Sequence, residues 1–386
     1  MEQFFISKAI DVNNGFKINW DYINLFPEFN VLNSTEQNPY WHSEGNVMNH
    51  TKLVCDEMIK YINSFKQFEL ETHKAIILLM AALFHDIGKG STTKIGSDGN
   101  WTSPNHAING EKITRKILWN IEFNMRESIC NLVRYHMTPL YLNFDNINDD
   151  SNYRKIITLS ENKYISIHDL YVLKTCDCAG SKPQHPDNYL DKLNIFIELA
   201  KQLNCLFNEY NFIGCFEKFN FNISNDSYPS YHNYDDTKFK VIMMCGLPGA
   251  GKDYYIKEFY PDYEIICRDD IRKEIGLKGE KPQGNKKEEE KVTRIVNDRI
   301  KECCRNNKNF VINATNLKKF YRDKLINMVL PYKPFIEIVY VEAPTITDNL
   351  NRRSGQIPNN IIINMMKNFD FPKETECHKL TIVKYY

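Results

Sequence analysis

Residues 239–252 constrain this chain most: Phe-Lys-Val-Ile-Met-Met-Cys245 runs directly into Gly246-Leu-Pro-Gly-Ala-Gly251-Lys252. A short apolar, β-rich run that meets a glycine-dense turn and then a helical stretch reads as strand, loop and helix. Glycines at such a turn let successive backbone N–H groups point inward, and the following helix N-terminus adds its dipole, so the loop forms a cradle for phosphate oxygens. Further β-rich runs follow at Glu264–Cys267, 309–312, 335–341 and 380–383, separated by helical stretches. Strands alternating with helices imply a mostly parallel sheet covered on both faces.

The residues before this half follow another period. Val47, His50, Val54, Met58 and Tyr61 share a helical face; Ala75 to Phe84 is apolar nearly all round, as in a central buried helix. Ile129, Leu132, Val133 and His136 make a third stripe, and Ile167, Leu170, Leu173 and Asp177 a fourth. Between the halves, Asn208 to Asp236 is rich in Asn, Tyr, Ser and Phe without a sustained period and reads as a connection. Its aromatics, Phe216, Phe219, Phe221, Tyr228 and Tyr231, suggest that it lies against a domain surface. The expected fold class is multidomain: an all-α domain over residues 1–207, a connection over 208–236, and an α/β phosphate-loop domain over 237–386.

Composition excludes some function classes. Lys+Arg and Asp+Glu both number 49, so a basic, sequence-blind nucleic-acid coat is not expected. The longest apolar run is too short to cross a bilayer and ends in His85-Asp86, and the N-terminus lacks a signal-peptide pattern. Eleven cysteines without a CxxC pair read as reduced thiols, which points to a cytoplasmic protein without membrane association.

In the second half Gly246, Gly249, Ala250, Gly251 and Lys252 are the expected nucleotide contacts, with Lys252 reaching the β- and γ-phosphates. Asp253 stands where a Ser or Thr usually meets Mg²⁺, so the metal contact is direct or, as expected from its charge beside the phosphates, through water. The second strand ends in Cys267-Arg268-Asp269-Asp270-Ile-Arg272, where a carboxylate faces the crevice of a parallel sheet. Asp269 is the expected proton acceptor and Asp270 the helix cap. Arg268 and Arg272 are expected on the acceptor side. The third strand ends in Asn313-Ala-Thr315-Asn316, polar groups at the same edge. Arg352-Arg353-Ser-Gly-Gln-Ile-Pro358 suits a lid closing on a transferring phosphate, before a helix with Ile361, Met365 and Phe369 in register. The run 286–291 (KKEEEK) reads as a solvated helix face.

From about Phe239 onward this half resembles the 5′-OH polynucleotide kinase domain of phage and bacterial end-healing enzymes. The resemblance implies that Asp269 is the general base, that Arg272 grips the acceptor's 3′-phosphate, and that Lys252 with Arg352 serves an NTP, ATP or another, with Mg²⁺. Two positions depart: Asn313 and Ala314 replace the Asp common near the Ala-Thr-Asn turn, and one of two lid arginines matches when Ile357-Pro358 is the anchor.

In the first half, His50, His85, Asp86, His106, His136 and Asp177 lie on predicted helices or their starts, several on apolar stripes where a polar side chain needs a partner. Together they favour a metal site, for which imidazole and carboxylate are ligands. The order H…HD…H…H…D resembles the HD phosphohydrolase superfamily. More narrowly, Trp41-His-Ser-Glu-Gly-Asn-Val47…His50-Thr51, then Leu-Phe-His-Asp-Ile-Gly-Lys89, then Ser103-Pro-Asn-His106, resembles the HD domain of tRNA CCA-adding enzymes over about 38–180. It implies a metal-dependent phosphodiesterase or phosphatase acting at an RNA end, with His50, His85, Asp86 and Asp177 as core ligands. His106 and His136 then complete a second metal position bridged by Asp86, for one or two divalent metals, transition metals or Mg²⁺. His42 is expected beside these ligands or at the surface, and His73 and His168 in structural roles.

The whole is similar to bifunctional HD–polynucleotide kinase enzymes. That resemblance implies phosphorylation of 5′-OH ends and clearance of 2′,3′-cyclic phosphate or 2′/3′-phosphate ends in RNA, with DNA as a second substrate candidate and a separate ligase downstream. Two rivals stand beside it: a nucleotidase joined to a nucleoside or nucleotide kinase, and a nucleotide-gated binding protein with degenerate sites.

Overall fold

The computed structural model describes residues 4–385 other than 65–70, 148, 184–188, 225–226, 230, 232–233, 278–285 and 355. Gly355 of the expected lid therefore lies outside the described residues, as do five positions of the 208–236 stretch. The chain divides into two units, Met1–Asn211 and Phe212–Tyr386.

The first unit is helical. Its main elements are α1 (Val47–Ser64), α2 (Thr72–Phe84), α3 (His106–Ile117), α4 (Phe123–Tyr135), α5 (Asp150–Ser160), α6 (Ile167–Gly180) and α7 (Tyr189–Gln202). Ala75 and Ile77 to Phe84 are all buried. A helix that is apolar on nearly every face has no side to give to water, so α1, α4 and α6 pack around α2. The segment Thr72–Thr92 has the length and hydropathy of a membrane span, but 72% of its most apolar window is buried within this unit, as in a core helix. Two close approaches set the frame of the site. A Cβ at Gly180 would lie 2.7 Å from Val54 N, and one at Gly88 would lie 2.0 Å from His106 O. The bare backbone at these positions lets α6 meet α1 and lets the turn after α2 meet the start of α3.

The second unit begins with α8 (Cys215–Ile223), which corrects the reading of 208–236 as connection alone: Phe219 and Phe221 are buried. There follow β1 (Phe239–Cys245), α9 (Lys252–Phe259), β2 (Glu264–Cys267), α10 (Arg268–Glu274), α11 (Lys286–Arg305), β3 (Phe310–Asn313), α12 (Lys319–Val329), β4 (Pro334–Glu342), α13 (Ile346–Arg352), α14 (Asn359–Lys367) and β5 (Lys379–Lys384). The five strands pair in parallel in the order β2-β3-β1-β4-β5. Val241 to Cys245 are fully buried, as expected of a central strand covered on both faces. Cys267 and Asn313 are register partners, so β2 and β3 end together at the edge where the loop after β1 emerges. Ahead of that edge, α14 turns Ile362 and Met366 inward and leaves Ile361 exposed, one position away from the expected face.

Candidate functional site

In the helical unit, six expected ligands meet where helices end. His50 lies on α1 and Asp177 on α6; His85 and Asp86 follow the last turn of α2; His106 opens α3; His136 follows the last turn of α4. Each histidine is oriented from behind. His85 Nδ1 donates to Ala82 O (2.8 Å), His136 Nδ1 to Val133 O (2.8 Å) and His106 Nδ1 to Ser103 O (2.9 Å). A carbonyl only accepts, so these bonds place a proton on Nδ1 and leave Nε2 as the inward atom available to a metal. For His50 the same place is taken by Glu44, whose Oε1 lies 3.0 Å from Nδ1.

The inward atoms form two adjoining sets. His50 Nε2 and His85 Nε2 are 3.2 Å apart, and Asp177 Oδ1 is 3.0 Å from the first. Asp86 Oδ2 lies 3.3 Å from His85 Nε2 and 3.7 Å from His50 Nε2. On the other side, His106 Nε2 and His136 Nε2 are 3.3 Å apart, with Asp86 Oδ1 at 3.5 and 3.8 Å. Ligand atoms about 2.0–2.2 Å from one ion sit about 3.0–3.5 Å from each other. The donor set thus fits two metal positions, with one oxygen of Asp86 turned to each. Two nitrogen lone pairs facing across little more than 3 Å also repel unless a cation or proton lies between them.

The electrostatics put two of the histidines in the ligand form and a proton on a third. Burial, reinforced by neighbouring imidazoles, holds His136 well below the usual histidine range, and burial lowers His106, so both are in the ligand form. Burial alone would depress His50, but Asp177, Glu44 and Asp86 overcome it and raise it to about 9. Asp86 and Asp177 are held well below the carboxylate range against burial, chiefly by Lys89 and Lys174. Lys89 Nζ is 2.7 Å from Asp86 Oδ2, and Lys174 Nζ donates to Asp177 Oδ2 at 2.6 Å. Sequence reasoning assigned no role to Glu44, Lys89 or Lys174; the one signal for Lys174 is a charge one helical turn before Asp177 on a largely apolar helix. The cluster opens into a cavity of about 350 Å³ whose rim carries Trp41 and Tyr141, 45% and 60% exposed. His42 also lines it, with Nδ1 2.7 Å from Glu44.

In the second unit the loop after β1 has positive φ at Gly246 (148°), Gly249 (77°) and Gly251 (103°), conformations that side chains resist. Lys252 folds under the loop, its Nζ donating to Gly246 O (3.0 Å) and Leu247 O (2.9 Å), and this enclosure lowers it to about 8. Asn349 of α13 donates to Pro248 O (2.9 Å) and Arg352 to Gly249 O (3.2 Å), so α13 braces the loop. Arg353, rather than Arg352, points toward the carboxylates: its NH2 is 3.8 Å from Asp253 Oδ2. Ala250 is buried. Asn313 Nδ2 donates to Asp253 Oδ1 at 2.7 Å.

Several expected roles change. Asp270 does not cap α10, which starts at Arg268; it sits inside the first turn, 3.5 Å from Lys273. Arg272, expected to grip an acceptor phosphate, is nearly buried and spanned by Glu289, with contacts of 2.8 and 3.1 Å, while its NH1 bonds Asp269. A guanidinium so occupied orients Asp269. Asp269 is half-exposed, and partial burial raises it despite Arg272. Glu289 also pairs with Arg268 (3.0 Å), so the run 286–291 is not solvated throughout. Asn316 turns inward and donates to Met244 O (2.7 Å), while buried Arg322 holds its carbonyl and pairs with Glu376. Thr315 O accepts the N–H of Gly246, and Thr315 lines a groove of about 800 Å³ with Arg268, Lys318 and Lys324.

Comparison with known proteins agrees with these two geometries. Residues 47–170 match the family model of the HD domain, and residues 241–372 that of an AAA domain. The chain joins an HD domain to a P-loop kinase-like domain. This pairing supports a fused hydrolase and kinase, with a divalent metal implied in the first unit and an NTP with Mg²⁺ in the second. The chain is also similar to heterogeneous nuclear ribonucleoprotein U-like protein 2 of mouse and human, 23% and 22% identical over 154 residues. The match covers 36% of this chain and about a fifth (20%) of those relatives.

Proposed function

We propose that this protein heals nucleic-acid ends, most of all in RNA. The kinase unit phosphorylates 5′-OH ends from ATP or another NTP with Mg²⁺. The HD unit hydrolyses 2′,3′-cyclic phosphate or 2′/3′-phosphate ends, and a separate ligase takes the product. The observation that carries a polynucleotide acceptor over a free nucleoside is the groove beyond β2 and β3. In a chain of balanced charge, Arg268, Lys318 and Lys324 line it and, among the described residues, no Asp or Glu does. Ile266, Ile312 and Met328 give it an apolar floor, and the exposed ring of Tyr321 offers a base a stacking surface.

In this reading Asp269 accepts the proton of the attacking hydroxyl, Arg272 positions it, and Lys252 and the arginine pair serve the donor. In the HD unit His50, His85, Asp86 and Asp177 hold one metal, and Asp86, His106 and His136 a second. A divalent ion there polarises phosphate oxygens and lowers the pKa of water. Trp41 and Tyr141 then flank the terminal base. The two mammalian relatives are ribonucleoproteins by name, in keeping with a nucleic-acid substrate.

The test is an oligoribonucleotide bearing 5′-OH and 2′,3′-cyclic phosphate, incubated with ATP and Mg²⁺, Mn²⁺, Ni²⁺ or Co²⁺, with both ends read by mass. Gain of a 5′-phosphate and opening or loss of the cyclic phosphate are expected. Faster phosphorylation of free nucleosides would replace this reading with a nucleotidase–nucleoside kinase. Absence of ATP-dependent labelling would favour a degenerate, nucleotide-gated protein.

A further inference from the structure

The nucleotide site departs from its usual pattern at two positions, and the fold brings them together. Loops of this kind place a hydroxyl after the lysine to meet Mg²⁺, and a carboxylate on a neighbouring strand completes the metal's protein contacts. Here the residue after Lys252 is Asp253, and β3, which pairs directly with β1, ends in Asn313. The two side chains bond each other at 2.7 Å. We propose that the carboxylate serving Mg²⁺ has moved from the strand end to the helix start, with Asp253 the direct metal contact and Asn313 the residue that positions it. This rests on the reading of the unit as a nucleotide-dependent kinase.

Three features support the exchange. The Asp253 side chain is 71% exposed and faces the loop, with Oδ1 taken by Asn313 and Oδ2 3.8 Å from Arg353, which leaves lone pairs for a hard cation. The other carboxylate at this edge, Asp269, is already engaged by Arg272. An aspartate at 313 would set two carboxylates within hydrogen-bonding distance, where both cannot stay ionised at ordinary cost. An amide in that position donates instead, so the two departures compensate each other. The number of carboxylates near the metal is the same as in the usual pattern; only its position differs. If Asp253 merely favoured the helix dipole, it would need no hydrogen-bond donor at residue 313.

The experiment measures how Mg²⁺ tightens binding of a non-hydrolysable ATP analogue to the full chain by calorimetry. This nucleotide-linked signal is blind to metal held in the HD unit. Asp253→Ser should raise the Mg²⁺ needed for half of the tightening on the order of tenfold or more, while affinity in EDTA stays level or improves. Asn313→Asp alone should make the Mg²⁺ response steeply pH-dependent as the paired carboxylates share a proton. The double exchange D253S/N313D should return the Mg²⁺ requirement to within about threefold of the wild type. A wild-type Mg²⁺ response in Asp253→Ser, as for contact through water, overturns the proposal, and so does a double variant no better than Asp253→Ser. If the wild type binds the analogue neither in Mg²⁺ nor in EDTA, the kinase reading itself falls and the proposal with it.

Discussion

Acid should loosen the kinase unit through His378. Its ring centroid is 4.0 Å from that of Phe219 and 5.3 Å from that of Phe216, both on α8, and it stacks on Phe335 of β4 at 4.9 Å. Its Nδ1 accepts the N–H of Ile336 at 3.0 Å, so the ring is neutral and ties α8 to the sheet. Burial lowers it from 6.5 to about 4, against a weaker pull from Asp235. The folded-state pKa lies below the unfolded one, so stability is complete above about pH 6.5 and is lost as the pH falls toward 4. The whole difference is about 3 kcal/mol, of which about 2 kcal/mol is lost between pH 7 and pH 5. Hydrogen exchange at β1 and α8 amides of the full chain, corrected for intrinsic rates, reads this loss. The four tryptophans, Trp20, Trp41, Trp101 and Trp119, all lie in the helical unit, so their fluorescence reports the other unit in the same sample. His378→Phe keeps an aromatic ring but strands the Ile336 N–H, at about 1–3 kcal/mol. It should be weaker at pH 7 and nearly flat from pH 7 to 5. A variant with the wild-type slope would refute the assignment.

Other expectations follow from single contacts. Asp86→Asn removes the carboxylate shared by both metal positions; metal content by mass spectrometry should fall and end hydrolysis drop at least about a hundredfold, with 5′-kinase rate unchanged. Equal loss of both activities in a folded variant would argue against separate sites. Glu44→Gln should weaken metal binding by about 10–100-fold, because Glu44 orients His50 from behind; unchanged affinity would reduce it to a structural brace. Arg353→Ala should cost the kinase on the order of a thousandfold in kcat, and Arg352→Ala much less, since Arg352 bonds Gly249 O while Arg353 approaches Asp253. The reverse order would restore Arg352 as the lid arginine.

The parallel sheet was legible because its strands are apolar runs punctuated by Gly, Pro, Asn and Asp, and each expected strand lies within a residue of its observed bounds. The clustering of histidines and aspartates was legible for a related reason: His50, His136 and Asp177 interrupt apolar stripes, which a core tolerates only when partners exist. What stayed hidden depends on long-range pairing. Glu44 looks like any loop acid until the fold places it beside His50 and the N–H of Lys182. Glu289 looks solvated until α11 packs on α10 and meets Arg272. Likewise α8 spans only nine residues, too few for its spacing to stand out from the Asn-rich stretch around it until Phe216 and Phe219 meet His378.

Both sites put their polar groups where apolar elements end, but at opposite depths, and this decides how variants must be read. His85 and Asp86 are 0% and 2% exposed at the tip of the core helix, and each holds its charge or tautomer only through partners. Removing one leaves a buried polar atom or an unpaired Lys89, a loss of several kcal/mol in folding on top of any chemistry. Asp253 and Asp269 have side chains 71% and 55% exposed at a sheet edge, so their removal leaves little buried without a partner. Loss of activity at the kinase edge therefore speaks to chemistry directly. At the metal cluster it does so only with folding measured alongside, because even Asp86→Asn, which keeps the shape of the side chain, takes away the charge that pairs with Lys89.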